Sequence, residues 1–232
     1  FATDHLASPY GKTEAWLIVD AGPDATVHLG FSRDIEAGQL AAWCQDQEAD
    51  AMLAATNEVG VAPGDTILVP AGLPHAIGSG ILLVELQEPT DFSIFLEWKG
   101  FDLDGPVEGH LGLGYDVALQ CVNRWATGPD RLDVLRSGRE DLAFPAESDT
   151  FFRAERISPR PKVRLEAGYG VLIVLDGTGE LRWSEGSGSL PLTRGDTVLL
   201  PYAAGPVEVS GDGLTAIRAR PPVSPGSFTP SG

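Results

Sequence analysis

The chain has four histidines, His5, His28, His75 and His110, so any imidazole-based site must draw on these. His75 follows Pro70-Ala71-Gly72-Leu73-Pro74 and opens the short apolar run His75-Ala76-Ile77-Gly78. A histidine at the head of a strand can point into a barrel lumen or stand at the surface beside a loop, and the spacing leaves both open. Glu14 heads the apolar run Ala15-Trp16-Leu17-Ile18-Val19-Asp20. Strand alternation puts Glu14 and Trp16 on one face and Ala15 and Leu17 on the other. A carboxylate sharing a face with tryptophan is unusual for a solvated surface; the alternative is an ordinary strand-end carboxylate. Imidazole nitrogen and carboxylate oxygen are donors that zinc or a similar divalent ion takes. Two such ligands do not hold a catalytic metal, so more donors are required. Lys12 lies two residues before Glu14 and on the same strand face. Beside a carboxylate and a metal its ammonium could lose its proton more easily and move protons; otherwise it is a surface lysine paired with Glu14. Glu85 and Gln87 in Leu83-Val84-Glu85-Leu86-Gln87 alternate in the same way. They are polar groups in a cavity or, as spacing alone favours, the polar face of an amphipathic strand.

These residues need strands to hold them, and the sequence supplies a repeat. Pro63-Gly64-Asp65-Thr66-Ile67-Leu68-Val69-Pro70 resembles Arg194-Gly195-Asp196-Thr197-Val198-Leu199-Leu200-Pro201. Each reads as a tight Gly-Asp turn, a short apolar strand and a terminating proline. Each is preceded by an aliphatic strand, at 15–20 and 171–177, and followed by another, at 81–87 and 214–218. The repeat is one barrel unit used twice. Where the first copy has Leu73-Pro74-His75-Ala76-Ile77 the second has Ala204-Gly205-Pro206-Val207-Glu208, and no histidine occurs after His110. The second barrel therefore cannot hold a histidine-based metal site and is read as structural. Between the copies, Ile35 to Asn57 has helical spacing of Leu40, Ala41, Cys44, Met52 and Leu53, with Asp34 as N-cap and Glu36 in the first turn. Gly114 to Asn123 is expected to form a short helix with Val117, Leu119 and Cys121 mostly buried. Ser137 to Ser148 is expected to be a linker, and the Pro-, Ser- and Gly-rich stretch Pro221 to Gly232 an extended or disordered tail.

The bulk composition narrows the function. A formal net charge of -17 repels nucleic acid and anionic membranes, and neither is expected as a partner. An anionic substrate would need a local cluster drawn from only 16 lysines and arginines. Arg124, Arg131 and Lys99 are the candidates by elimination. Cys44 and Cys121 form no CxxC pair and are expected to be buried reduced thiols in a cytoplasmic protein. No apolar run is long enough to span a bilayer, and no signal peptide is recognised. Hydrolase and kinase motifs of the GxSxG and GxxxxGK[ST] types do not occur.

The runs Gly11-Lys12-Thr13-Glu14-Ala15-Trp16, Pro70-Ala71-Gly72-Leu73-Pro74-His75-Ala76-Ile77-Gly78 and Leu83-Val84-Glu85-Leu86-Gln87-Glu88-Pro89-Thr90-Asp91 together resemble the type I mannose-6-phosphate isomerases, in particular their short bacterial branch. The resemblance covers most of the chain in order. It implies a mainly β fold of two cupin (jelly-roll) β-barrels with a helical insertion. A catalytic-type barrel would occupy 1–136, with the insert at about 33–57, and a degenerate barrel with the tail 137–232. It implies one zinc per chain in the first barrel, with Glu14 and His75 among its ligands, Lys12 as a residue that handles the substrate, and a small sugar phosphate as partner; Glu85, placed in the cavity by strand alternation, is the second catalytic candidate beside Lys12. The expected assembly is a monomer or weak homodimer. The implied reaction interconverts mannose 6-phosphate and fructose 6-phosphate; a cupin acting on or binding a different sugar, or a non-catalytic sugar binder, are the alternatives. Two positions depart from the family. Its Gln-x-His-Pro metal motif does not occur: either the sequence starts a few residues downstream of it, which the start at Phe1 favours, or this copy has lost half of the site. Phe95 stands about where the family carries an arginine.

Overall fold

In both halves of the chain a Gly-Asp turn ties one strand back onto an earlier one through the same three interactions. Gly64 and Gly195 have φ of 95° and 92°, values that favour glycine. Gly64 N–H donates to Ile18 O at 2.8 Å and Ile18 N–H to Asp65 O at 2.9 Å; Gly195 N–H donates to Val174 O and Val174 N–H to Asp196 O, both at 2.9 Å. The Asp65 carboxylate accepts from Ala62 N–H, and that of Asp196 from Thr193 N–H and Oγ1. The computed structural model describes residues 1–183 and 188–222, and the chain divides into two units, Phe1–Ser137 and Gly138–Gly232.

The first unit contains β1 (Glu14–Ala21), β2 (Thr26–Phe31), β3 (Thr56–Gly60), β4 (Thr66–Val69), β5 (His75–Ile77) and β6 (Ile81–Gln87). They form two antiparallel sheets, β4-β1-β6 and β3-β2-β5. The second unit contains β7 (Arg153–Ile157), β8 (Lys162–Leu165), β9 (Gly170–Asp176), β10 (Thr178–Trp183), β11 (Gly188–Thr193), β12 (Thr197–Leu200), β13 (Val207–Ser210) and β14 (Thr215–Arg220). Its sheets are β12-β9-β14-β7 and β11-β10-β13-β8. The second unit thus repeats the first strand for strand, β9 standing for β1 and β14 for β6, with β7 and β8 each added at an edge. Even the bulge recurs, between Ile18 and Asp20 on β1 and beside Asp176 where β14 shifts register at Thr215 and Ala216. The fold is mainly β, two cupin-like units with a helical insertion.

Each unit closes over its own apolar interior. Ala15, Trp16, Leu17 and Ile18 are all buried, so β1 is covered on both faces and its sequence is apolar without alternation. In the second unit all eight strands contribute to one core, including Ile157, Leu165, Leu172, Leu181, Leu192, Leu200, Val207 and Ala216. The helical insert lies between β2 and β3 and packs Leu40, Met52 and Ala55 against Phe31 and Ile35.

Several expectations are corrected. The insert is two helices, Ala37–Asp46 and Ala49–Ala55, because Gln47 adopts φ 55° and turns its amide to other segments: it donates to Cys44 O and Leu96 O and accepts from Trp98 N–H and Lys99 N–H. Asp34 is not the N-cap; Glu36 is, without a side-chain bond, and the Asp34 carboxylate accepts from Ala126 N–H. Between Gly114 and Asn123 only Tyr115–Ala118 is α-helical, followed by a 3-10 turn Leu119–Cys121, and Ala118 is the buried residue while Val117, Leu119 and Cys121 are half-buried. The stretch Ser137 to Ser148 is no solvated linker: Ala143, Phe144 and Ser148 are buried and Leu142 bridges to Glu155. Cys44 is buried, but Cys121 is only half-buried. Of the expected tail, 223–232 lies outside the described residues. No helix among the described residues is long and apolar enough to cross a membrane.

Burial pushes the Cys44 thiol up to about 11 and also raises that of Cys121. Since the thiolate is the reactive form, Cys44 is expected to react with a disulfide reagent at pH 7.5 at least ~100-fold more slowly than a free thiol, Cys121 more slowly than a free thiol, and both at the ordinary rate once the chain is unfolded. A fast phase in the folded protein would contradict this.

Candidate functional site

Strand register brings the predicted residues together. Glu14 pairs with Gln87 and Trp16 with Glu85 across β1 and β6, so all four side chains share one face of the first sheet. His75 comes from the other sheet, where it opens β5 opposite Leu29 of β2. The two sheets meet at this point. His75 Nε2 lies 3.2 Å from Glu14 Oε1, and the Trp16 and His75 rings contact edge-on with centroids 5.3 Å apart. Trp16 Nε1–H donates to Glu14 Oε1 at 3.0 Å, which accounts for a carboxylate beside tryptophan.

The turn before β5 is built to deliver His75. Gly72 has φ 85°, and a Cβ there would come within 2.5 Å of the Cys121 carbonyl oxygen. Leu73 O bonds His75 Nδ1 at 2.8 Å, directing Nε2 at Glu14. Gly72→Ala is expected to cost about 1–3 kcal/mol in a urea unfolding titration, from positive φ plus a backbone clash; an unchanged midpoint would show that the turn relaxes freely.

Lys12 completes the cluster. Its Nζ lies 2.9 Å from Ser93 Oγ, 3.3 Å from Asp91 Oδ1 and 3.9 Å from Glu14 Oε2. The segment carrying it is tied to the end of β6: Glu88 accepts from Thr13 N–H, and the Thr90 hydroxyl donates to Gly11 O. Lys12, Glu14, His75 and Glu85 line one cavity of about 1000 Å³, together with His28, Tyr10, Phe92 and Phe95. Among the described residues, Lys12 is the one lysine in that lining and no arginine occurs in it.

The electrostatics separate the two glutamates. Burial acts to raise the Glu14 carboxyl, but the His75 hydrogen bond and charge, then Lys12 and the Trp16 N–H, outweigh it and hold it below the ordinary carboxylate range. Burial acts to lower His75, yet the Glu14 hydrogen bond and charge and the Leu73 carbonyl raise it above its ordinary value. Glu85 moves the other way: partial burial and then the charge of Glu14 push it up. It has no hydrogen-bond partner among the described residues. One carboxyl is held ionised and its neighbour is poised to exchange a proton, the arrangement that marks acid–base pairs.

Three expectations for the site fail. Arg124, Arg131 and Lys99 are absent from the lining of this cavity. Arg124 donates to Ile35 O and lines a separate cavity of about 760 Å³ with Cys44, Trp98 and Tyr115. Ser93 and Asp91, the partners of Lys12, were not singled out by the sequence, because only the fold brings the residues after β6 back to the segment before β1. His28, a further imidazole at the cavity with Nδ1 2.8 Å from Thr56 Oγ1, was in the pool of four histidines but was not placed at the site; its alternation on β2 was the available signal.

No family model matches the chain. Its sequence is similar to the mannose-6-phosphate isomerase ManA of Bacillus subtilis strain 168, 29% identical over 216 residues, covering 91% of this chain and 65% of that protein. The chain therefore spans about two thirds of the length of that relative. Its fold is similar to the crystal structure of the mannose 6-phosphate isomerase from Bacillus subtilis, with a TM-score of 0.66 at 20% identity over 94% of this chain and 68% of that one. It also resembles a mannose 6-phosphate isomerase crystallised with zinc and yttrium, with a TM-score of 0.60 at 14% identity over 96% of this chain and 70% of that one. By sequence and fold together, the chain is similar to mannose-6-phosphate isomerases over nine tenths of its length.

Proposed function

We propose that the first unit is an aldose–ketose isomerase site that interconverts mannose 6-phosphate and fructose 6-phosphate. The observation that carries this reading is the convergence of Lys12, Glu14, His75 and Glu85 on one cavity wall; the names of the related proteins supply the substrate. The reaction moves a proton between C1 and C2 through an enediol. Glu85, without a hydrogen-bond partner among the described residues and with its carboxyl raised, takes the proton from C2 and returns it at C1, while His75 gives a proton to O1 as the enediol forms and recovers one from O2 as the C2 carbonyl forms. The His75 imidazolium faces the negative charge that develops on the sugar oxygen. Glu14 keeps His75 protonated and anchors Lys12 in place. Lys12 meets the charge of the substrate.

A zinc-bound relative and the nitrogen and oxygen donors of His75 and Glu14 support a metal at this position. However, no group of three or more His, Cys, Asp or Glu side chains among the described residues could hold an ion. Two donors fall short of the three protein ligands of a catalytic zinc site. The described residues do not by themselves fit a resident metal, and no step is assigned to one. Zinc titration of this chain is expected to give a Kd weaker than about 1 μM, against the ~10–16 kcal/mol of four-ligand structural sites, and His75→Ala should abolish the binding. A nanomolar Kd would show a complete donor set.

The functional test is a coupled assay for fructose 6-phosphate, run with mannose 6-phosphate and with zinc present. Turnover that falls in Lys12→Ala mainly through a KM raised about tenfold or more supports the assignment. No isomerisation above background by the folded chain would overturn it.

A further inference from the structure

The repeat allows the two units to be compared position by position, and the site of the first has a counterpart of opposite charge in the second. Trp16 pairs with Ile67 and Glu85, and Leu172 pairs with Val198 and Arg218. The register places Gly170 where the first unit has Glu14, Arg218 where it has Glu85, Arg220 where it has Gln87 and Gly168 where it has Lys12. The two glycines are needed for the arginines. A Cβ on Gly168 would lie 2.5 Å from Arg220 Nη2, and one on Gly170 would lie 3.1 Å from Arg218 Cγ and 2.9 Å from Ala219 O. The arginine side chains lie across the space that Lys12 and Glu14 use in the first unit.

The added edge strand β7 brings a third arginine and a carboxylate. Glu155 is opposite Arg218, and Arg153 is opposite Arg220. Two like charges directly opposite on neighbouring strands are unfavourable unless something of opposite sign lies between them. Among the described residues, Glu155 is the one carboxylate bonded to the group. It accepts from Arg218 Nε at 2.6 Å and Nη2 at 2.5 Å, and from Arg220 Nη1 at 2.9 Å. The Arg218 side chain is 4% exposed and its Nη1 donates to Glu166 O. Arg153 Nε donates to Pro221 O. Arg220 Nε is buried and has no partner among the described residues, and none of them bonds Arg220 Nη2 or the terminal nitrogens of Arg153. Three guanidiniums against one carboxylate, in a chain of net charge -17, leave an excess of about two positive charges and a buried N–H donor without an acceptor. Buried donors are satisfied in nearly all native structures. A tetrahedral oxyanion supplies several acceptor oxygens and the missing negative charge, and guanidinium geometry suits it.

We propose that the second unit binds an oxyanion of the phosphate class between Arg153 and Arg220, on the sheet face whose counterpart in the first unit carries the isomerase site. Arg218 and Glu155 are the fixed base of this site, and Arg220 and Arg153 are its donors. The site is independent of the isomerase assignment, since no residue of the first unit takes part.

The test is calorimetric titration of the whole chain with inorganic phosphate at low ionic strength, with thermal unfolding in parallel. The expected result is a Kd of roughly 1 mM or tighter, with a melting temperature that rises with phosphate and does not rise with sodium chloride of equal ionic strength. Arg220→Gln is expected to weaken binding at least about tenfold. Arg153→Gln, on an edge strand and further from the core, should do the same without disturbing the fold. In a Lys12→Ala background, which removes the cation of the first-unit cavity, the arginine-dependent binding should remain. The proposal is overturned by no binding in the native chain, by an equal response to chloride, or by binding that survives both arginine variants. Binding lost in Lys12→Ala alone would overturn it too, by placing the phosphate in the first unit.

Discussion

Glu85→Gln is expected to lower kcat for mannose 6-phosphate by about 10²–10⁴-fold, the contribution of a general base, while the melting temperature stays within the error of the native chain. The side chain is exposed to the cavity and makes no hydrogen bond among the described residues, so the amide replaces it without breaking a contact. A pH profile distinguishes this role from a merely electrostatic one. The base acts when deprotonated, and partial burial and Glu14 raise its carboxyl. Activity should therefore fall on the acid side at a pH above the ordinary carboxylate value of 4.5. On the alkaline side it should fall where His75, raised above 6.5, loses its proton. The acid limb should disappear from the residual activity of Glu85→Gln and the alkaline limb should remain. A variant that keeps full kcat, or keeps the acid limb, would remove Glu85 from the chemistry.

The largest effect on stability is expected at Arg218. Its side chain is buried, and it holds Glu155 by two nitrogens and the Glu166 carbonyl by a third. Arg218→Ala is expected to destabilise the second unit by about 3–5 kcal/mol, the cost of removing one member of a buried ion pair and leaving its partners unsatisfied. Because Arg218 and Glu155 share one ion pair, which each single variant already breaks, the double variant Arg218→Ala/Glu155→Ala should lose less than the sum of the two single losses. Urea unfolding followed by the fluorescence of Trp183 reads this out; a loss under about 1 kcal/mol, typical of an exposed pair, would show that the network is solvated. An apolar replacement of similar length, Arg218→Met, is the milder change, since it removes the charge but keeps the packing volume.

The features readable in the sequence are those whose chemistry is local. The Gly-Asp turns needed a glycine at positive φ and an aspartate that caps its own loop, and both requirements are written in adjacent residues. Glu14 was conspicuous because a carboxylate heads an otherwise apolar strand, and His75 because it ends a Gly-Pro turn. What was not readable depends on partners distant in the chain. Gln47 ends a helix because its amide serves Leu96, Trp98 and Lys99, and nothing near Gln47 in sequence signals this. Asp34 has the composition of an N-cap, but Ala126 claims its carboxylate. The search for cations by elimination chose Arg124, which the fold spends on a backbone carbonyl. The cluster of Arg153, Arg218 and Arg220 could not be foreseen either, because its meaning rests on strand register between β7 and β14.

The recurring Gly-Asp turn also bears on how fast each unit can fold. In the first unit the turn closes a loop from Ile18 to Asp65, which contains both helices of the insert; in the second the same closure runs from Val174 to Asp196, about half as far along the chain. Doubling a flexible loop costs about 0.6 kcal/mol of closure entropy, close to a threefold difference in rate if closure occurs before the barrier. The insert that gives the first unit Ala49, Met52 and Leu53 for its cavity wall thus slows the ring closure on which that unit depends. In a refolding experiment the unit with the plain hairpin should lead, and shortening the insert should bring the two phases together.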